Sequence, residues 1–204
     1  MSFLKTMILV RHSEPQRGTD LPNAEIPLSE EGRRLAMEFF AGEPFASCKC
    51  VYSSPYLRAV ETARCLSKQI TFDERLVERT LGDQECLNAD FWLEQYQDLD
   101  FKNRNGESLN EAARRVDACV SDIRDRLANG EKAVVVSHAA AICAYLTRFC
   151  TITVLNAEEK IRRIQFEGRT VLQGKIHTPS AFVLRFEGSN PVDISYIGEK
   201  INEH

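Results

Sequence analysis

The sequence predicts an α/β fold, a three-layer sandwich with a central, mostly parallel sheet and helices on both faces, built by residues 1–204 as one domain. Three observations predict it. Met7, Ile8, Leu9 and Val10 form a short unbroken apolar run, as do Ala133 to Val136, and such runs mark strands covered on both sides. Strand and helix signals alternate through the first three quarters of the chain, the order expected of βαβ units. Leu109, Ala112, Ala113, Val116, Val120, Ile123 and Leu127 recur at helical spacing, the apolar stripe of a long amphipathic helix from Glu107 to about Leu127.

Taken in order, Met7 to Val10 is the first strand. Ser29, Glu30 and Glu31 then supply an N-cap and an acidic first turn for a helix to about Phe40, which Gly42 and Pro44 end. Cys50 to Tyr52 reads as a second strand, and Pro55 occupies the place where a helix start accepts proline, with that helix running to about Lys68. Leu81 to Asn105 is irregular and aromatic, a packed cap over the site or a helical insertion. Asn129 and Gly130 close the long helix. Ala133 to Val136 is the clearest buried strand, followed by a helix from Ala139 to about Phe149. After Asn156 the pattern turns extended around Ile161 to Phe166, Ala181 to Phe186 and Ile194 to Ile197.

Composition narrows the function classes. A chain of 204 residues with 43% hydrophobic and 27% charged residues buries one ordinary core. A formal net charge of -4 supplies no general attraction to nucleic acid or an anionic membrane, so neither is an expected partner, and any affinity for phosphate must be local. Neither a membrane-length apolar stretch nor a secretory signal is present, and the seven scattered cysteines suit a reducing compartment, so a cytoplasmic location is expected. Cys48 and Cys50 are the close cysteine pair, and no second Cys/His pair accompanies them, so no metal site is expected.

Both apolar runs stop abruptly on polar clusters: Arg11, His12, Ser13 and Glu14 after the first, Ser137 and His138 after the other. Open α/β sheets keep their active sites at the carboxyl ends of strands, so two such strands suggest one shared site. With Arg58, just after Ser53, Ser54 and Pro55, two histidines and two arginines can converge on a phosphate. The turn before the last helix sets His138 at an amino-terminal helix end, which favours an anion.

Four further segments sharpen the reading: SSPYLRAVETA at Ser53 to Ala63, LVERTLG at Leu76 to Gly82, GESL at Gly106 to Leu109 and VVVSHAAA at Val134 to Ala141. In this order and spacing the chain resembles the histidine phosphatase superfamily, the group that includes cofactor-dependent phosphoglycerate mutase, over about Met7 to Ala144. The resemblance implies phosphomonoester hydrolysis through a phosphohistidine, without metal or cofactor, on a small phosphorylated substrate. It implies His12 as nucleophile, Arg11 and Arg58 as the phosphate clamp, His138 as a donor to the phosphoryl oxygens and Glu78 as general acid; Asp83 and Glu85 are close enough in sequence to be rival donors.

An unprotonated imidazole suits the nucleophile, and neighbouring cations would keep it so while attracting a phosphate dianion. The guanidinium fork suits phosphoryl oxygens. Ser13 and Ala139 stand where the family often has glycine, and Gly18 where many members have asparagine. The other readings are a mutase of the same family, which would need more enclosing structure around its phosphoenzyme, and a noncatalytic protein that binds phospholigands. Specificity is expected in Leu81 to Asn105 and in the loop from Pro15 to Pro27. His177 reads as a turn residue, Arg162 and Arg163 as a solvated strand end, and Arg114, Arg115, Arg124 and Arg126 as the outer face of the long helix.

Overall fold

The computed structural model describes residues 4–83 and 87–198. Its main sheet has six strands in the order β3-β2-β4-β1-β8-β9: β1 Lys5–Arg11, β2 Cys50–Ser53, β3 Thr71–Phe72, β4 Lys132–Ser137, β8 Ser180–Glu187 and β9 Asn190–Ile197. The pairs β1·β4, β4·β2 and β2·β3 are parallel, and β8 runs antiparallel to β1 and β9. Alternation along β1 decides the layering. Met7 and Leu9 pack with Val116, Val120 and Ile123 of helix α4 (Leu109–Arg126) and Ile142 of α5 (Ala139–Leu146). Ile8 and Val10 face the other way, onto Phe40 of α1 (Glu30–Phe40) and Ala59 and Ala63 of α2 (Leu57–Arg64). The predicted three-layer sandwich follows from that two-residue period.

Local signals account for the helix starts. The Ser29 side chain accepts from the Gly32 amide, and Ser108 and Glu111 cap the start of α4 reciprocally. Gly32 is there for space: a Cβ at that position would lie 2.1 Å from the Glu14 carbonyl oxygen. The first turn of α1 therefore sits flush against the loop that follows β1, and the Ser29 amide donates to that same oxygen at 3.0 Å.

A second, antiparallel sheet of three strands, β5 Cys150–Asn156, β6 Ile161–Phe166 and β7 Arg169–Gly174, lies between α5 and β8 in the chain. Its Ile152, Ile164, Phe166 and Leu172 join the α4–α5 side of the core. Two expectations change here. The last helix stops at Leu146 rather than about Phe149, because the β-branched run Thr151, Ile152, Thr153, Val154 pairs with β6. Helix α2 stops at Arg64, short of Lys68. The irregular segment contains α3 (Ala89–Gln97), whose start is capped by Asn88. Among the described residues no helix is long and apolar enough to cross a membrane, and the six described cysteines are free.

Candidate active site

Parallel register brings the polar strand ends together. Val10 and Ser53 both align with Val136, and Arg11 aligns with Ser137, so β1, β2 and β4 end side by side. The ladder continues one residue further: the His12 amide donates to Ser137 O at 3.0 Å, and the Ser54 amide donates to Val136 O at 2.9 Å. The rings of His12 and His138 then lie 5.0 Å apart, centre to centre. Of the five residues predicted from the sequence, Arg11, His12, Arg58 and His138 gather at this point, and Glu78 sits beside them.

His12 is 5% exposed, and its Nδ1 lies 2.7 Å from Ser13 O. A carbonyl oxygen can only accept, so Nδ1 carries the proton and Nε2 is left with its lone pair. Arg58 Nε donates to that Nε2 at 3.1 Å. Burial, and then the Arg58 and Arg11 cations, lower the His12 pKa to about 3, although the bond to Ser13 O works the other way. His138 is pushed well below the usual histidine value by burial, by His12 and by the Arg58, Arg115 and Arg11 cations. Both rings are therefore neutral at ordinary pH.

Arg58 occupies the first turn of α2 and does not pair with Glu61. Glu61 instead binds Arg33 and the Leu28 amide. The remaining reach of Arg58 goes to the Asn23 carbonyl, in the loop where specificity was expected. Arg11 Nη1 donates to the Ile176 carbonyl, just past β7. Three buried polar atoms at these strand ends have no hydrogen-bond partner: Arg11 Nε, Ser13 Oγ and His138 Nδ1. Buried donors left unpaired are costly, so a cluster of them marks a place shaped for a polar ligand.

Glu78 sits on the amino-terminal end of α5, one residue past His138. Its Oε1 accepts from the amides of Arg79 at 2.8 Å and Ala141 at 3.0 Å, and Oε2 from that of Ala140 at 3.4 Å. Asp83 is held elsewhere, by Arg104 at 2.9 Å and Asn105 at 3.2 Å. Glu85 lies outside the described residues. Beside Arg11 and Glu78 opens a cavity of about 290 Å³, lined also by Ala139, Arg79, Trp92 and Arg162. His177 is absent from that lining; its amide donates to the Tyr196 hydroxyl.

Three arginines are placed differently from their sequence reading. Arg162 is no solvated strand end: it lines the cavity and donates to the Tyr96 hydroxyl at 3.3 Å and Cys143 Sγ at 3.2 Å. Period-two alternation with buried Ile164 and Phe166 was the available signal. Arg115 turns inward from α4, pairing with Glu107 at 2.6 Å and donating to the carbonyls of Arg75 and Val77, so it anchors the segment that carries Glu78. Arg124 packs its guanidinium over Phe186. Arg79, the neighbour of Glu78, was passed over; it is 3% exposed and donates to Glu107 O and Gln95 Oε1.

No curated protein matches the chain. Among solved structures it resembles a mycobacterial protein described as hydrolase 1 (20% identity over 98% of this chain and 99% of that one, TM-score 0.70). It also resembles a mycobacterial glucosyl-3-phosphoglycerate phosphatase (21%, 95% and 96%, TM-score 0.66). A mutant phosphoserine phosphatase from Entamoeba histolytica in complex with phosphoserine is similar to the same degree (20%, 95% and 96%, TM-score 0.69). At such identities the likeness speaks to the fold, which all three share with this chain. The family model of the histidine phosphatase superfamily (branch 1) matches residues 7–170, and by that match over most of its length this chain belongs to the superfamily.

Proposed function

We propose that the protein is a phosphatase that hydrolyses a small phosphomonoester in two steps through a phosphohistidine on His12, with residues 1–204 acting as one catalytic unit. The observation that carries the reading is that the strand ends holding an imidazole whose Nε2 lone pair is fixed by Ser13 O also hold three buried, unpartnered polar atoms, Arg11 Nε, Ser13 Oγ and His138 Nδ1. A phosphoryl group offers acceptor oxygens for such donors. Phosphoryl transfer asks a protein mainly for positioning and charge, and this arrangement supplies both.

Substrate binding begins with an exchange of partners. Arg58 Nε caps the attacking nitrogen when no anion is present, and phosphoryl oxygens are the better acceptors for a guanidinium. As Arg58 moves onto the phosphate, Nε2 is uncovered facing phosphorus. Arg11 holds the same group from the other side. Ser54 Oγ accepts from the Tyr56 amide and lies 2.9 Å from His138 Nε2; when it donates its own proton there, the His138 proton is on Nδ1, the unpartnered atom, free for a phosphoryl oxygen.

The chemistry then balances with side chains alone. His12 Nε2 forms a bond to phosphorus as the ester P–O bond breaks, and the leaving oxygen takes the Glu78 proton. In the second step Glu78, now a carboxylate, takes a proton from water as its oxygen attacks phosphorus, and inorganic phosphate leaves His12. A cavity of about 290 Å³ has room for a small phosphomonoester. Release of phosphate from para-nitrophenyl phosphate, insensitive to chelators, is the expected activity, abolished in His12→Ala. Equal turnover by that variant overturns the nucleophile assignment. Rapid isomerisation of 3-phosphoglycerate with a bisphosphoglycerate primer, without phosphate release, overturns the hydrolytic reading.

A further inference from the structure

The cavity beside Glu78 carries more positive charge than phosphoryl transfer uses. Beyond Arg11 its walls hold Arg79, Lys160, Arg162 and Lys175 against the carboxylates Glu78 and Glu159, in a chain whose formal net charge is -4. Three of these cations come from the second sheet and its turns: Lys160 just before β6, Arg162 within it, and Lys175 just after β7. Lys175 is the chain neighbour of Ile176, whose carbonyl accepts from Arg11, so this wall adjoins the strand end of β1.

Charge alone on a surface means little, but two of these guanidinium groups, buried Arg79 and half-buried Arg162, hydrogen-bond to no carboxylate among the described residues. Arg162 reaches only the neutral Tyr96 hydroxyl and Cys143 Sγ among the described residues. Arg79 is bound by two neutral oxygens, and its Nη2 is buried with no partner. The carboxylates of Glu78 and Glu107 act on Arg79 through space, but its buried Nη2 donor stays unpaired, which is costly unless a ligand supplies an acceptor. Lys160 rests over the Trp92 ring at 5.5 Å, and Lys175 is loosely paired with Glu159 at 3.5 Å, so both exposed ammonium groups are tethered at the cavity mouth.

We propose that the second sheet completes an anion-binding subsite next to the phosphoryl cup, and that the substrate is a small phosphomonoester carrying a second anionic group, either a carboxylate or another phosphate. The inference rests on the phosphatase reading and narrows its substrate class. The phosphoryl group goes to Arg11, Arg58 and His12, and the second anion goes to Arg162 and Arg79, with Lys160 and Lys175 drawing it in from solvent. A walled cavity makes such a contact stronger than the same charges would be in open water.

Calorimetry on His12→Ala, which is expected to hold a substrate without consuming it, tests the subsite with matched ligands. O-phosphoserine against O-phosphoethanolamine, and 3-phosphoglycerate against glycerol 3-phosphate, differ by a carboxylate; fructose 1,6-bisphosphate against fructose 6-phosphate differs by a phosphate. In at least one pair the partner that carries the second anionic group is expected to bind about ten- to a hundredfold tighter, the range of hydrogen bonds to charged groups. Which pair shows it identifies the group. Adding Lys160→Ala and Lys175→Ala, exposed positions that leave the core intact, is expected to pull that ratio down severalfold, and adding Arg162→Gln to bring it close to one. Equal affinities in every pair, or a preference untouched by these substitutions, overturns the proposal. Failure of the underlying reading shows separately, as wild-type protein that releases no phosphate from para-nitrophenyl phosphate.

Discussion

The cup at the ends of β1, β2 and β4 and the face of the β5–β7 sheet both present cations to one cavity, but they are built in opposite ways. In the cup the side chains proposed to carry the reaction are almost fully buried: His12 and Arg58 are each 5% exposed, and His138 is fully covered. The backbone leading into His12 and His138 is locked by parallel register, and several polar atoms go unpaired. On the second sheet Lys160 and Lys175 are exposed at turns, and Arg162 alone is drawn inward. The difference teaches a division of labour. Groups that make and break bonds have to be dry and preset, which costs stability; groups that choose among substrates can stand at the surface, where change is cheap.

Substitutions in the cup should therefore have the largest effects. His12→Ala is expected to lower turnover at least ~10³-fold, since a missing nucleophile leaves only binding and charge. Measured by phosphate release from several esters, the loss should be similar for all of them. Arg58→Ala should cost ~10²- to 10³-fold, the usual consequence of removing one charge-stabilising donor. If either change acts mainly on KM for one substrate and spares kcat, the cup is serving selection and the proposed division breaks down.

Glu78→Gln sharpens the comparison differently, because it separates proton donation from phosphoryl binding. For an alkyl phosphate, kcat should fall ~10²- to 10⁴-fold, as for a positioned general acid. For para-nitrophenyl phosphate, whose leaving group departs unprotonated, the fall in the first step should be much smaller. Identical losses on both substrates would move the acid role away from Glu78.

Stability reports on the cup as well. His12 and His138 are both depressed below 6.5 by burial and neighbouring cations, so the unfolded chain binds more protons than the native one as pH falls through 6.5. Stability is thus full above that value and declines below it, by up to about 2 kcal/mol per histidine between pH 7 and pH 5. Denaturant unfolding of wild type and His138→Asn at both pH values checks this; equal pH slopes would mean that His138 titrates normally in the folded state. The smallest expected effect has the opposite sign. Ser13→Ala removes a buried hydroxyl with no partner, and should stabilise the protein by roughly 1 kcal/mol. A clear loss of stability would show that Ser13 Oγ has a structural partner.

The same contrast explains what could be read from the sequence. The cup was legible because apolar runs that end on Arg11, His12 and Ser137, His138 carry their own signal, and parallel pairing does the rest. Ser29 announced its helix for an equally local reason, a side chain that caps its own backbone, whereas the long helix, read from Glu107, starts at Leu109 behind the cap of Ser108. The second sheet was only half visible. Ile161 to Phe166 looked extended, but β5 followed an apolar helix without a break, and β7, with Arg169, Thr170 and Gln173, is too polar to stand out. Arg162 and Arg115 depend on which neighbours the fold brings near, Tyr96 and Cys143 for one and the Arg75 and Val77 carbonyls for the other, and no local pattern encodes that.

The most direct measurement is to trap the covalent intermediate. Wild-type protein mixed with a ³²P-labelled phosphomonoester and quenched within milliseconds should carry label that is stable to alkali and lost in acid, as a phosphoramidate is, and peptide mapping should place it on His12. His12→Ala treated the same way should carry none. Label on another residue, or turnover at the wild-type rate with no labelled protein at any time, would contradict the account.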